Sequence, residues 1–213
     1  GRTVLFVSHN MGSIIELCNR AVLLNNGKIT YTGIPENVVK KYIDSINIKQ
    51  DEKKELTSIV RPNVNLKKEA ILESCELNNG KSDLGSWDLN FGDTIIIIVS
   101  FKLIVDLRDI RIGLNISDIV GKEICTVNSY DKKDIKFLEK GNYKIKISFP
   151  HLRLLPDSYI IGLGIKTGKI DQDYINNAAI LHINMTKNDT ELNLHKRKGL
   201  IAPDIEFQLE DIL

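Results

Sequence analysis

His9 is the first residue of this chain whose setting suggests chemistry. It stands in Ser8-His9-Asn10, at the end of the apolar run Thr3 to Val7, and an apolar helical pattern begins directly after it. An imidazole at the mouth of a strand-to-helix turn can donate a hydrogen bond or move a proton. It can equally be a strand-end residue satisfied by its own neighbours. Gly162 to Ile170, reading Gly-Leu-Gly-Ile-Lys-Thr-Gly-Lys-Ile, invites comparison with a phosphate-binding loop. The spacing fails: five residues separate Gly162 from Gly168-Lys169, and three separate Gly164 from it. The loop requires Gly-x-x-x-x-Gly-Lys followed by Ser or Thr. As a dinucleotide fingerprint it also fails, because Gly168 falls a residue late. The stretch reads as a β-turn between strands. Asp106 and Asp109 lie in turn-like sequence with no companion signal, so glycosidase chemistry has no support. Cys18, Cys75 and Cys125 are widely spaced, in no metal-ligand pattern, and read as core thiols in a reducing compartment. The expectation is a chain with no metal site and, as it stands, no enzymatic activity.

The elements that would position these residues fall into three zones. Of 213 residues 42% are hydrophobic, enough for a real core, and the net charge of +1 gives no electrostatic case for nucleic acid or an anionic membrane. The longest aliphatic run, Thr94 to Phe101, is too short to span a bilayer, and no N-terminal signal pattern is present. Residues 1–45 have an α/β pattern. Thr3 to His9 reads as a parallel-type strand covered on both faces. A helical stretch follows from Met11, then a hairpin turning at Asn26-Gly27 and a helix opened by Pro35. This zone holds too little apolar material to close its own sheet, and reads as the end of a domain whose beginning is missing. Residues 46–65 are crowded with charge and aperiodic, and read as a solvated linker.

Residues 66–213 change period. From Ala70 onward, Ile- and Val-rich runs alternate with Gly, Asn and Asp turns. Tyr143, Ile145, Ile147 and Phe149 alternate with Lys144, Lys146 and Ser148, the pattern of a half-buried antiparallel strand. About eight such runs predict an immunoglobulin-like antiparallel β-sandwich, so the fold class is mainly β with an α/β remnant in front. The tail is polar after Thr186 until Gly199 to Leu213, which reads as a further strand region interrupted by Pro203.

Residues 1–45 resemble the end of an ABC transporter nucleotide-binding domain. In that family a strand ends in Ser-His-Asp/Asn, and the histidine, the switch-loop residue, reaches the γ-phosphate of ATP. Ser8-His9-Asn10 matches it, and Leu17 to Val38, with Gly27 and Gly33, is similar to the helix, hairpin and closing helix that follow. The resemblance implies that His9 orients the γ-phosphate in an intact parent that holds ATP and Mg²⁺. Ala70 to Asn184 resembles the C-terminal carbohydrate-binding domain of Wzt-type polysaccharide ABC exporters. The matching residues are the Gly92-Asp93 turn with its apolar strand, and Asp118-x-x-Gly121 with a strand ending in Asn128-Ser129. A third match is Leu154-Leu155-Pro156-Asp157-Ser158-Tyr159, where Asp157 stands in the usual place of glycine.

The two resemblances together imply the C-terminal part of an exporter's ATP-binding subunit. Its sandwich would recognise a cell-surface polysaccharide, of O-antigen (lipopolysaccharide) or teichoic-acid type, and couple that recognition to ATP-driven export. Sugars need directional hydrogen bonds and a flat apolar platform. Asn115 and Ser117 share one face of their strand, opposite Ile112, Leu114 and Ile116. Asn128 ends the strand that the Asp118–Gly121 turn folds back beside them, and Tyr130 lies close by. Trp87, half-exposed in a loop or edge strand, either stacks on sugar or covers the end of the sandwich. The glycan-binding candidates are therefore Asn115, Ser117, Asn128, Tyr130 and Trp87. The implied partners are the glycan, a second copy of the chain and, in the parent, a transmembrane exporter subunit. The implied location is cytoplasmic, peripheral to the inner face of the plasma membrane. The alternative is a dimerisation or protein-docking module that binds no glycan directly.

Overall fold

A computed structural model describes residues 3–8, 11–47, 53–61, 65–78, 87–132, 135–185 and 199–201. The chain opens with α1 (Met11–Leu17), β1 (Ala21–Asn25), β2 (Lys28–Gly33) and α2 (Pro35–Asn47). It continues through β3 (Lys53–Glu55), β4 (Ala70–Leu77), β5 (Asp88–Asn90), β6 (Ile95–Leu103) and β7 (Leu107–Asp118). Then come β8 (Glu123–Asn128), a 3₁₀ turn (Ser129–Asp131), β9 (Ile135–Leu138), β10 (Gly141–Phe149), β11 (Asp157–Thr167) and β12 (Ile170–Asn184).

The expected hairpin forms between β1 and β2. Asn26 and Gly27 take φ of 50° and 76°, the left-handed pair that a two-residue hairpin turn demands. Thr3 to Ser8 does not form the expected strand: Val4, Leu5 and Val7 are exposed, and none of the sheets includes the segment. A parallel-type strand is held by neighbours that supply its hydrogen bonds and cover its faces, and no described strand lies beside this one. His9 and Asn10 lie outside the described residues. Val39 and Ile43 of α2, with Met11, Ile14 and Ile15 of α1, pack on Ile180 and Ile119.

Two sheets make the sandwich. One has the order β10-β6-β4-β3, the other β5-β12-β11-β7-β8 with β9 also on β7. Every pairing is antiparallel except β12 with β5. Alternation decides the layers. In β6, Ile95, Ile97, Val99, Phe101 and Leu103 enter the core, and in β7 and β11 Ile112, Leu114, Ile116, Leu163 and Ile165 meet them from the other sheet. The mainly β antiparallel sandwich expected from the sequence is the observed fold.

Residues 53–61, expected within a solvated linker spanning 46–65, belong to the sandwich. β3 pairs with β4, and Leu56 is fully buried. Arg61 donates from Nε and Nη2 to the two carboxylate oxygens of Asp173, at 2.8 and 2.9 Å. Its remaining donors reach the carbonyls of Leu56, Ile59 and Leu72. Asp173 also accepts the backbone N–H groups of Leu72 and Tyr174. Each charge is thereby compensated, which is what makes burying the pair tolerable. Among the described residues the sandwich therefore reaches back at least to Lys53, ahead of the expected boundary at residue 66. At the other end, Leu155 N–H donates to Leu200 O at 2.9 Å and Ile201 bridges Leu154. The rest of the expected tail strand lies outside the described residues.

Candidate functional site

The outer face of the β12-β11-β7-β8 sheet is built on three glycines. Gly113 pairs with Gly164, and Asn115 with Gly162. On the flanks, Asn128 pairs with Gly113 and Tyr174 with Gly164. With no side chain at these positions, neighbouring side chains lie flat across the sheet. A Cβ built on Gly162 would stand 2.0 Å from Asn115 Oδ1. One on Gly164 would stand 3.0 Å from Tyr174 Cδ2, and one on Gly113 would stand 3.1 Å from Asn128 Oδ1. Asn115, Tyr174 and Asn128 thus take up the room that three absent side chains leave.

Two adjoining depressions open on this face. One, of about 270 Å³, is bordered by Asn115, Ser117, Asn176, Asn177 and, from α1, Met11. The other, of about 340 Å³, is bordered by Asn128, Thr126, Tyr130, Arg111 and Lys166. Asn115, Glu123 and Tyr174 border both. The β7–β8 connection that sets this geometry is tied by Asp118: its Oδ1 accepts the N–H groups of Val120 and Lys122, and its carbonyl accepts that of Gly121. Asn128 N–H is held at 2.9 Å by the Asp131 carboxylate, which fixes the 3₁₀ turn carrying Tyr130. The Tyr130 ring is 53% exposed, with the Arg111 guanidinium 5.4 Å from its centroid. Burial, with the Glu123 charge as a lesser contribution, raises the Tyr174 phenol above its usual range, so it stays a neutral donor and acceptor.

Four of the five sequence-derived glycan candidates, Asn115, Ser117, Asn128 and Tyr130, come together here. Ser117 is not on open surface as expected: it is 6% exposed, beside Ile160 at the end of the face where the first-zone helices pack over Ile180. Trp87 is a correction. It is fully buried in the core, its carbonyl receives His182 N–H, and its ring has no surface to offer a sugar. The short run Trp87 to Asn90 is drawn inward because β5 adds in parallel to β12. Sequence reasoning missed Tyr174, Arg111, Lys166, Glu123 and the glycine floor. Tyr174 and Asn176 lie in Ile170 to Asn177, a polar start to β12 that shows no apolar alternation, and a bulge opposite Gly162 breaks the register there. Among the described residues, no cluster of three or more His, Cys, Asp or Glu could hold a metal ion, and no helix is long and apolar enough to cross a membrane.

Comparison with known proteins supplies the family. The model of the Wzt C-terminal domain matches residues 63–195. A crystal structure of the C-terminal domain of Wzt superposes with a TM-score of 0.56 at 16% identity, covering 67% of this chain and 84% of that one, a likeness of fold. Among curated proteins, the chain is 47% identical over 53 residues to the ABC transporter protein AbcA of Aeromonas salmonicida, 25% of this chain and 17% of that protein. It is 45% identical over 42 residues to the teichoic acids export ATP-binding protein TagH of Lactococcus lactis, 20% of this chain and 9% of that protein. The chain therefore spans a small part of the curated relatives it matches. With the family model covering well over half its length and the sandwich in place, the chain belongs to the Wzt C-terminal domain family.

Proposed function

We propose that this chain is the C-terminal part of the ATP-binding subunit of a polysaccharide ABC exporter, and that its sandwich binds the exported glycan on the β12-β11-β7-β8 face. The observation that carries this reading is the convergence of Asn115, Asn128, Tyr130 and Tyr174 on a glycine floor. Flat-lying amides offer paired donors and acceptors to vicinal hydroxyls, and the tyrosines offer rings to C–H faces. An open pair of depressions, one lined mainly by amides and the other by aromatic and aliphatic surface as well as polar groups, suits a polymer that passes across it better than a small molecule that must be enclosed. Two copies in a homodimeric exporter would add avidity along a repeating chain.

The nucleotide chemistry belongs to the rest of the parent. No phosphate loop occurs in these 213 residues, so they do not by themselves fit ATP and Mg²⁺. In the parent, His9 serves as the switch-loop residue, and a transmembrane subunit holds the assembly at the inner face of the plasma membrane. His9→Ala there should remove most ATP turnover while leaving nucleotide affinity largely intact; near-normal turnover would reject that role.

The test of glycan binding is titration of the chain with surface polysaccharide purified from the cells that produce it. Asn115→Ala and Tyr130→Ala should each weaken a saturable signal. Lys144→Ala, on an exposed position of the opposite sheet, should not. Trp87→Ala is unsuitable as a control because it removes core. The absence of any saturable signal would favour the dimerisation or docking reading instead.

A further inference from the structure

The proposed glycan face is not electrically uniform. Arg111 on β7 and Lys166 on β11 are exact cross-strand partners on the exposed side, two cations facing each other. Like charges directly opposite on neighbouring strands repel and are unfavourable unless something between them answers the charge. Lys166 has one answer, Asp171 at 2.9 Å across the β11–β12 hairpin. Arg111 has no carboxylate partner among the described residues and stands over the Tyr130 ring. Both cations border the larger depression, at the end where Tyr130 lies. Glu123 borders it too, its carboxylate accepting from Thr126 Oγ1. One end is cationic with an aromatic platform, and the other carries a hydrogen-bond-accepting carboxylate.

Resting on the glycan-binding reading above, we propose that the polymer bound here is acidic, and that a carboxylate or phosphate substituent of one sugar unit sits between Arg111 and Lys166. The ring bearing that substituent stacks on Tyr130, with its hydroxyls toward Asn128 and Asn115. The next unit occupies the smaller, amide-lined depression past Tyr174, where Glu123 accepts its hydroxyl donors. A guanidinium recognises either anion through paired N–H donors, and stacking on Tyr130 holds it oriented for that purpose. The anion resolves the Arg111–Lys166 repulsion, so it is favoured over the neutral isostere in the same place. The arrangement also fixes polarity along the glycan, since the acidic unit enters at the Tyr130 end and a neutral unit at the Asn176–Asn177 end.

The experiment uses the full 213-residue chain and polysaccharide purified from the producing cells in three forms. These are the native polymer, polymer whose carboxylates have been reduced to alcohols through carbodiimide activation, and polymer dephosphorylated with aqueous hydrogen fluoride. The proposal expects one of the two treatments to weaken binding about tenfold or more, and the treatment that does so identifies the anion. It also expects Arg111→Gln to weaken native polymer to a similar extent, to leave the already neutralised polymer unaffected, and to flatten the salt dependence of binding. Arg111 is exposed, so the variant should keep the wild-type unfolding midpoint. If the native polymer binds and both treated forms bind equally well, or if Arg111→Gln changes nothing, the acidic assignment is wrong while glycan binding stands. If no form of the polymer binds the wild-type chain, the glycan-binding reading itself fails, and this inference with it.

Discussion

Replacing Gly162 by alanine tests the site without touching a ligand-facing side chain. A Cβ at this position would lie 2.0 Å from Asn115 Oδ1 and 2.9 Å from Asn115 Cγ, against 3.4 Å for ordinary contact. To reach ordinary contact the amide must retreat by about 1.4 Å, enough to break well-aligned hydrogen bonds it had been positioned to make. If the Asn115 amide makes two neutral hydrogen bonds to sugar hydroxyls at about 1 kcal/mol each, affinity falls by roughly 30-fold. The fold should tolerate the change, because the group displaced is the end of a flexible side chain. Gly162 is also extended, and alanine in a strand gains back about 0.5–1 kcal/mol of backbone entropy. Calorimetric titration with native polysaccharide, alongside urea unfolding, reads both quantities. The comparison that isolates the mechanism is the double variant Gly162→Ala/Asn115→Ala. Since both act through one amide, it should bind no more weakly than Asn115→Ala alone. Normal affinity in Gly162→Ala, or additive losses in the double variant, would refute the claim that this glycine exists to let Asn115 lie across the sheet.

Asp173→Ala should destabilise the chain by about 3–5 kcal/mol in urea unfolding, because it strands the buried Arg61 guanidinium and two backbone N–H groups together. Replacing both partners by apolar residues should not restore stability, since Leu72 N–H and Tyr174 N–H would still lack their acceptor; full recovery in the double variant would count against the network. Burial pushes the Cys75 thiol from its ordinary 9.0 up to about 12. The folded state therefore resists an ionisation that the unfolded chain undergoes freely. Stability should hold below pH 9 and decline as pH rises toward 12, with Cys75→Ala blunting the decline in urea midpoints. Trp87→Ala should cost about 3–5 kcal/mol and abolish binding only through unfolding, so binding lost at an unchanged unfolding midpoint would reopen its assignment. The chain should sediment as a homodimer, and deletion of Gly199 to Leu213, which uncovers the Leu154–Leu155 edge, should weaken it; a monomer at micromolar concentration with the tail intact would overturn this.

The sandwich was legible because its strands obey the simplest rule available, apolar and polar residues in alternation. Tyr143 to Phe149 shows it in full, with inward residues half-buried and the lysines exposed. The two misread segments fail that rule for opposite reasons. Thr3 to Val7 has the composition of a strand, but composition only states what a segment could pair with. The partners that would hold it are not among the described strands, and its side chains stay in solvent. Lys53 to Arg61 has the composition of a linker, yet one leucine and one arginine suffice to bind it to the sandwich. Leu56 enters the core, and Arg61 reaches a carboxylate 112 positions away. A single long-range ion pair leaves no periodic trace in sequence. Trp87 shows the same limit: a loop or edge-strand position left stacking on sugar and covering the sandwich end both open, and the run into the parallel edge strand carries the ring fully inward.

The site was partly legible for a reason that also sets its chemistry. Alternation in β7 puts Asn115 and Ser117 on one face, and the Asp118–Gly121 turn brings Asn128 back beside them, so those positions follow from local rules. Gly162 and Gly164 carry no such signal, and in sequence they read only as turn-formers. Their meaning is visible once register pairs them with Asn115 and Tyr174, and although Gly162 lies at the β11–β12 bulge, neither has a positive φ to account for it. Glycine in a strand interior is unfavourable, and it is retained where a side chain or ligand must approach the backbone closely. Here the approaching groups are an asparagine amide and a tyrosine ring. Any β-carbon beneath them would lift them upright, turning a flat polar floor into a row of separate projections. Upright amides lose their alignment with neighbouring hydroxyls, while flat ones hold donor and acceptor in fixed register along the path a polymer would follow. The glycines thus act as spacing elements: they set the height of the floor, and under the proposed glycan-binding reading that height would decide whether the face meets a chain of sugars along its length or at isolated points.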